Sequence, residues 1–289
     1  MFDLLLLTVV VVWGVNFAVL RAAYRSFHPI AFNAVRFFIS AVTLSALMRW
    51  RGVSFHLERG DRRRMLWLGL VAHTVYQFLF VLGLARTRAA NAALIMALTP
   101  VFAYLIGVSG KRERFSPGVL GGIILSLAGV SAIVVFGASG FELAGSWRGD
   151  LMLIAAAFCW GWYTAQSTRL LPKYGALRVT VLTIIIGTSV LIPLSVPWLV
   201  QQDWSGIEAS AWLGLAYSSL LSVVYAYWIW AYALSEIGVA HTAIFNNVTP
   251  IVALFAGWSM LGERPLPAQA AGILLVVTGV FMVRSRAQV

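Results

Sequence analysis

Three polar side chains share one helical face in an otherwise apolar stretch of this sequence. His73, Tyr76 and Gln77 are separated by three and four residues, so a helix would place them one above another. An imidazole, a phenol and an amide on one face can hydrogen-bond a small polar molecule in a cavity. They can equally well join two packed helices, and the spacing favours neither interpretation.

Arg36 is a basic residue inside a second apolar run, about two turns, or roughly 10 Å, from the nearer end of that run. Its planar guanidinium is suited to binding a carboxylate. The long side chain can instead extend towards the end of the helix and bond to carbonyl groups there. Two interpretations therefore stay open for Arg36, namely a carboxylate partner and a structural residue.

Two prolines interrupt two apolar runs at matching places. Pro100 and Pro250 each follow a threonine, and each removes one helical hydrogen bond, which frees the carbonyl oxygens of residues 96 and 246. A hydrated cavity would provide partners for these oxygens and for the side chain of Asn246. A kinked but well-packed helix is the alternative, and the sequence does not separate the two.

Deep aromatic residues supply the remaining candidates. Trp160 and Tyr163 lie on one helical face, and Tyr225 and Trp228 lie on another. Such faces can line a wide amphipathic pocket for planar or apolar groups, although packing inside the protein or against lipid is the alternative for each of them. The candidate lining residues are Trp13, Asn16, His73, Tyr76, Gln77, Trp160, Tyr163, Tyr225, Trp228 and Asn246.

The composition indicates which elements must position these residues. Of 289 residues, 61% are hydrophobic and 11% are charged, which excludes a soluble enzyme. A helix needs about 20 apolar residues to cross the bilayer core, and the sequence predicts an all-α polytopic membrane protein with ten transmembrane helices. The predicted spans are residues 4–21, 30–49, 65–85, 89–109, 117–137, 150–169, 177–199, 209–234, 239–260 and 267–284.

The charged residues predict the orientation and disfavour several functions. Of the 21 Lys and Arg, fourteen lie on the side of the predicted bundle that holds both termini and six lie on the other, so both termini are predicted to be cytoplasmic. These basic residues are scattered between apolar runs, which disfavours nucleic acid as a partner. All ten acidic residues fall at span ends or in loops, so no carboxylate is expected at mid-membrane.

The chain contains an internal duplication. Residues 84–134 align with residues 234–284 without a gap, and the alignment matches Thr-Pro, Glu-Arg and Gly-Ile pairs. A Trp-Gly pair also occurs early in each half, at residues 13–14 and 160–161. We therefore expect two five-helix repeats in one integrated transmembrane domain, over residues 1–140 and 141–289.

An odd number of helices per repeat has a topological consequence. Two five-helix halves must enter the membrane from opposite faces, and such inverted repeats are typical of transporters that open to each side in turn. A duplication that merely enlarged a scaffold is the alternative. If the halves do exchange conformations, the predicted gating residues are Gly14, Pro100, Gly161 and Pro250.

These motifs, in this order and duplicated, resemble one known family over the whole chain. They are the Trp-Gly pairs, Arg36 within Asn33-Ala34-Val35-Arg36-Phe37, the two Thr-Pro pairs and Gly-Glu-Arg-Pro at 262–265. The chain is similar to the EamA-type branch of the drug/metabolite transporter superfamily. The resemblance implies a ten-helix inner-membrane exporter of small metabolites, with a cavity lined mainly by spans 1, 3, 4, 6, 8 and 9. Within that branch it favours the aromatic amino acid exporter group.

The sequence thus predicts an exporter of small amphipathic metabolites, above all amino acids including aromatic ones, by alternating access in a bacterial-type inner membrane. The lack of a mid-membrane carboxylate favours facilitative transport. We expect no enzyme activity, cofactor or metal site, and a lipid-embedded monomer or homodimer. The alternatives are a proton-coupled exporter of other metabolites or drugs, a lipid- or sugar-carrier flippase subunit, and an intramembrane enzyme.

Overall fold

The computed structural model describes residues 2–87, 89–136, 147–252, 254–255 and 267–286. Within these residues all regular structure is helical. Seven helical segments there are long and apolar enough to cross a membrane, and a shorter apolar helix covers Leu94–Ser109. The all-α, polytopic character expected from the composition is confirmed.

Twelve α-helices of eight or more residues lie in the described part of the chain, and several predicted spans consist of two of them. The helices are α1 (Phe2–Ala23), α2 (Pro29–Trp50), α3 (Arg62–Leu70), α4 (Tyr76–Leu84), α5 (Ala89–Met96), α6 (Thr99–Ser109), α7 (Pro117–Val135), α8 (Trp147–Ser167), α9 (Leu171–Gln201), α10 (Ala209–Tyr217), α11 (Ala226–Ala243) and α12 (Pro267–Arg286). The end of the predicted span at 239–260 and the motif at 262–265 fall partly or wholly outside the described residues.

Proline residues and side-chain hydrogen bonds mark the starts of α2 and α7. Pro29 and Pro117 are in the first turns of α2 and α7, where a missing N–H costs nothing. His28 Nδ1 accepts from the backbone N–H of Ile30 at 3.3 Å, and Ser116 Oγ accepts from that of Val119 at 3.4 Å.

Two π-helical segments interrupt the bundle. Val71–Val75 joins α3 to α4, and Ser218–Tyr225 joins α10 to α11. Their first residues are 147 positions apart in the sequence, the same separation as Asp3 and Asp150 at the starts of the two halves. A π segment widens the helix locally and often lies beside a functional site. Hydrophobic periodicity did not predict either segment.

Two helix breaks also occur at matching positions. The α5 helix ends at Met96, two turn residues follow, and α6 begins at Thr99. After α11, residues Ile244–Val248 form a 3-10 segment, and α-helix resumes at Thr249. Both breaks therefore come directly before a Thr-Pro pair, as expected from the loss of the proline N–H.

Glycines allow α7 and α12 to form the most extensive helix pair of the described structure. A Cβ on Gly122 would come within 2.9 Å of the Gly279 carbonyl oxygen, and one on Gly129 within 2.6 Å of that of Gly272. The structure places these four within one chain, where they allow the two backbones to touch.

Candidate functional site

A central cavity of about 150 Å³ lies among α1, α2, α4, α8, α11, the two helix breaks and the second π segment. It gathers most of the polar residues that the sequence singled out. The predicted residues that line it are Trp13, Asn16, Arg36, Tyr76, Gln77, Trp160, Asn246 and Pro250.

Other lining residues were not proposed as site residues from the sequence. They are Phe17, Leu20, Phe80, Met96, Ala97, Thr99, Ser222, Tyr227 and Thr249. Helical spacing could have found some of them, since Phe17 is four residues after Trp13 and Phe80 is four after Tyr76. Thr99 adjoins the repeated proline. Ser222 carries no sequence signal, because a π segment sets its direction.

Several predicted site residues lie outside the cavity lining. His73 is fully buried, and its Nε2 pairs with Thr183 Oγ1 at 3.2 Å, which joins the first π segment to α9. Its ring centroid lies 5.5 Å from that of Tyr163. Tyr225 pairs through its hydroxyl with Thr8 at 2.7 Å. For these residues the structure favours helix-to-helix contacts over direct exposure to the cavity.

Trp228 also lies away from the central cavity. Trp228 lines a separate crevice together with Leu5 and Tyr232, and the Arg51 guanidinium lies 5.7 Å from the centre of its ring. The helical face that carries Tyr225 and Trp228 therefore does not line the central cavity. From this helix region it is Tyr227 that reaches the cavity.

The predicted gating glycines lie at two equivalent helix crossings. A Cβ on Gly14 would come within 2.7 Å of the Val252 side chain and 3.4 Å of the Thr249 carbonyl oxygen. A Cβ on Gly161 would come within 2.9 Å of the Ala103 nitrogen and 3.2 Å of the Thr99 carbonyl oxygen. Each Trp-Gly pair therefore crosses the Thr-Pro pair of the opposite half.

Arg36 is a buried cation with neutral partners. Its side chain is 4% exposed, and its Nη atoms donate to Ser218 Oγ at 3.2 Å and to Gln77 Oε1 at 3.3 Å. Gln77 Nε2 in turn donates to the Tyr227 hydroxyl at 3.2 Å. The Arg36 Nε atom is buried and has no partner within the described part of the chain. Burying a charge without an ion partner is costly.

Aromatic rings form much of the cavity wall. The Trp160 ring centroid lies 5.1 Å from that of Tyr227, 5.3 Å from that of Tyr76 and 5.9 Å from that of Trp13. The Trp13 indole N–H donates to the Ser222 carbonyl at 3.0 Å, which fixes the ring. These rings present a large, rigid apolar surface beside Arg36.

Three further buried polar atoms at the cavity have no hydrogen-bond partner among the described residues. They are Asn16 Oδ1, Thr99 Oγ1 and Asn246 Nδ2. Asn16 is 7% exposed and Thr99 is 1% exposed. No acidic side chain contributes to the described lining. The site thus combines one cation, unpartnered neutral groups and aromatic walls.

Polar contacts tie the loops together at the end of the bundle that holds the first residues of α1. Lys173 forms ion pairs with Glu58 and Asp61, and Arg284 forms one with Asp3. Glu113 joins two further segments at this end. Its Oε1 atom accepts from the backbone N–H groups of Val239 at 2.6 Å and Ala240 at 3.2 Å. These two residues directly follow Gly238, which has a positive φ. By contrast, Leu20 and Phe80, near the far ends of α1 and α4, line the cavity.

The chain is similar over most of its length to two proteins whose names refer to amino-acid export. The chain is 26% identical over 281 residues to a protein of Streptantibioticus cattleyicolor named "Probable terminal-alkyne amino-acid exporter", covering 97% of this chain and 92% of that protein. It is 26% identical over 290 residues to a "Probable amino-acid metabolite efflux pump" of Escherichia coli, covering 96% and 93%.

The fold has a close counterpart among solved structures. One crystal structure superposes with a TM-score of 0.83 at 20% sequence identity, covering 99% of this chain and 97% of that chain. This likeness establishes a shared fold. The model of the EamA-like transporter family matches residues 1–135 and 147–285, and hence most of the chain. The resemblance inferred from the sequence motifs is thereby confirmed, and the protein belongs to the EamA-like transporter family.

Proposed function

We propose that this protein exports small amphipathic metabolites, amino acids above all, from the cytoplasm through the central cavity. The observation that carries the proposal is Arg36, a buried guanidinium with neutral partners at the edge of an aromatic chamber. Arg36 would bind the cargo carboxylate, while Trp13, Trp160 and Tyr227 would pack against its side chain. The names of the two relatives, an amino-acid exporter and an amino-acid metabolite efflux pump, support the same class of cargo.

The proposed architecture is a ten-helix bundle of two inverted repeats, with residues 1–140 and 141–289 as the halves. Three features support it. The family model matches two successive segments of similar length. The π segments and the helix breaks recur at equivalent positions. Finally, the pairs Gly122–Gly279 and Gly129–Gly272 are interchanged by the 150-residue repeat offset, as a pseudo-two-fold axis requires.

The proposed orientation has both termini in the cytoplasm of a bacterial-type cell and the chain in the inner membrane. The excess of Lys and Arg on the side of the termini supports this orientation. The loop contacts of Lys173, Arg284 and Glu113 lie on that side. They would hold the cytoplasmic end closed in this conformation, and breaking them would admit cargo from the cell.

Helix breaks at the cavity would let the two halves rock around the bound cargo. Pro100→Ala and Pro250→Ala should each insert into the membrane normally yet transport several-fold more slowly. The backbone N–H that alanine restores can form a helical hydrogen bond, which stabilises an unbroken helix by about 1 kcal/mol. The helix would then resist the local bending that gating needs. Initial rates in liposomes, normalised to inserted protein, measure the effect.

Pro193 supplies a matched control for these variants. It lies inside α9, away from the described cavity lining, so Pro193→Ala should leave the rate close to that of the unchanged protein. Unchanged transport in both Pro100→Ala and Pro250→Ala would remove the gating role from the breaks.

Transport is proposed to be facilitative. A proton-coupled carrier needs a group that binds a proton in one conformation and releases it in the other, and the usual group is an intramembrane carboxylate. The described cavity lining contains no carboxylate, and buried His73 contacts Thr183 rather than the cavity. Such a carrier still exports usefully when the cell overproduces a metabolite, since cargo then moves down its own gradient.

Purified protein in liposomes should therefore equilibrate cargo down the cargo gradient without an imposed pH difference. The extent of labelled uptake, measured with and without a pH step, tests this expectation. Concentrative accumulation that is driven by the proton gradient alone and abolished by His73→Ala would instead make His73 a coupling residue.

The direct test of the proposed function is a liposome panel of amino acids, small carboxylates and amines. Carboxylate-bearing cargo with an apolar or aromatic side chain should exchange fastest. Trp160→Ala should slow aromatic amino acids more than alanine, because it removes one wall of the chamber. Equal slowing of every cargo would indicate packing damage, and no transport of any panel member would overturn the proposal.

A further inference from the structure

Two side chains of the described cavity lining hold neutral hydrogen-bond acceptors that the carboxylate site does not use. Asn16 Oδ1 and Thr99 Oγ1 are buried there without a partner among the described residues. The carbonyl oxygen of Asn246, which was expected to be freed by Pro250, instead accepts from the backbone N–H of Thr249.

These acceptors come from different elements than the guanidinium. Arg36 belongs to α2 and is held by Gln77 and Ser218. Asn16 belongs to α1, and Thr99 begins α6 directly after the first helix break. The cation and these two unpartnered acceptors therefore come from different helices.

Unpartnered acceptors in a buried site favour a donor-rich ligand group. An ammonium group carries three N–H donors and accepts nothing, so it matches a cluster of oxygen acceptors. Burying a lone acceptor without a donor costs free energy, and that cost is relieved when such a group binds. Neutral oxygens also hold an ammonium without adding a carboxylate that would form a permanent ion pair with Arg36.

We propose that the side chains of Asn16 and Thr99 bind the α-ammonium group of a zwitterionic amino acid. The cargo carboxylate lies at Arg36, so this inference rests on the proposed function. It narrows the cargo class from carboxylates in general to molecules that carry both a carboxylate and a free amine.

The test uses three probes that share one side chain. Phenylalanine has both charged groups, 3-phenylpropionate lacks the amine, and 2-phenylethylamine lacks the carboxylate. In liposomes containing the full chain, the apparent affinity for phenylalanine should exceed that for 3-phenylpropionate about tenfold, as expected for one set of charge-assisted hydrogen bonds. Leucine, 4-methylpentanoate and 3-methylbutylamine form a second, aliphatic set.

Substitutions then assign the preference to residues. Asn16→Leu and Thr99→Val should lower the affinity for phenylalanine about tenfold and leave that for 3-phenylpropionate unchanged. Thr99→Ser should restore the affinity. Thr164→Val is the matched control, since the Thr164 hydroxyl is equally buried and unpartnered but Thr164 is not part of the described lining.

Asn16→Asp keeps the shape of the side chain, and this variant can be used instead if Asn16→Leu fails to fold. A carboxylate at this place should raise the affinity for 2-phenylethylamine, which a purely structural Asn16 would not do. Equal affinity for phenylalanine and 3-phenylpropionate in the unsubstituted protein would overturn the ammonium site while leaving the carboxylate exporter intact. If no member of either probe set were transported, the proposed function itself would be overturned.

Discussion

Replacing Arg36 with Gln is expected to reduce the export of carboxylate cargo by about a hundredfold or more. Removal of one partner from a buried ion pair costs about 3–5 kcal/mol, and 1.4 kcal/mol corresponds to a factor of ten. The bound cargo carboxylate would lose the cation that lies beside it in the cavity. Initial exchange rates in liposomes over a range of cargo concentrations measure the loss.

The conservative variant separates charge from geometry. Arg36→Lys keeps the positive charge but cannot offer two parallel N–H donors, so it should recover only part of the activity. The Gln77 and Ser218 side chains accept from Arg36 in the unliganded protein, and Ser218→Ala removes one of these contacts without removing the charge. Ser218→Ala should therefore have a much smaller effect than Arg36→Gln.

A structural role for Arg36 makes a different prediction. In that case Arg36→Gln would lower the melting temperature of the purified protein, and it would slow cargo with and without a carboxylate to the same degree. That pair of results would remove Arg36 from the binding site. A selective loss of carboxylate cargo at unchanged melting temperature would support the binding role.

Leucine in place of Gly129 or Gly279 is expected to prevent stable assembly of the bundle. A Cβ at Gly129 would lie 2.6 Å from the Gly272 carbonyl oxygen, and one at Gly279 would lie 2.5 Å from that of Gly122. Because both obstacles are backbone atoms, α7 and α12 would have to separate. Overpacking of this kind typically costs about 1–3 kcal/mol, and occasionally more, which consumes much of the stability of a folded protein.

Gly121 provides the control for this experiment. It lies on the same helix, and a Cβ there meets no atom within 4 Å. Gly121→Leu should therefore give a normal yield of monodisperse protein in detergent and a normal melting temperature. If Gly129→Leu and Gly279→Leu behaved like Gly121→Leu, the close α7–α12 contact would not be the one that the protein uses.

The all-α, membrane-spanning character and the repeated motifs can be recognised from the sequence because both depend on residues that are near one another along the chain or recur at a fixed spacing. Apolar runs of about 20 residues follow from bilayer thickness, and a duplication leaves identical motifs such as the Thr-Pro pairs at matching positions. Arg36, Tyr76, Gln77 and Trp160 were singled out for similar reasons, since a polar or large aromatic group within an apolar helix needs a partner.

The predicted site residues that do not line the described cavity differ from the others in helix rotation. His73, Tyr76 and Gln77 share a face by their spacing, yet His73 contacts Thr183 on α9 whereas Tyr76 and Gln77 line the cavity. The π segment directly before Tyr76 changes the angular register, and no apolar periodicity marks it.

The second half illustrates the same limit. Tyr225 and Trp228 were the predicted wall, but a residue between them, Tyr227, reaches the cavity. The eight-residue π segment at Ser218–Tyr225 rotates the first turn of α11 away from the direction that a regular helix would give it.

The sequence by itself determined that the helices lie in a membrane, that motifs recur in the two halves of the chain, and which kinds of side chain are available, because these depend on composition and on order along the chain. Only the tertiary structure decided which of those side chains meet. Residues such as Asn16, Arg36 and Thr99 come from separate helices, and they converge at one cavity through glycine crossings and π segments. That convergence depends on the relative rotation and approach of packed helices, which local spacing does not encode.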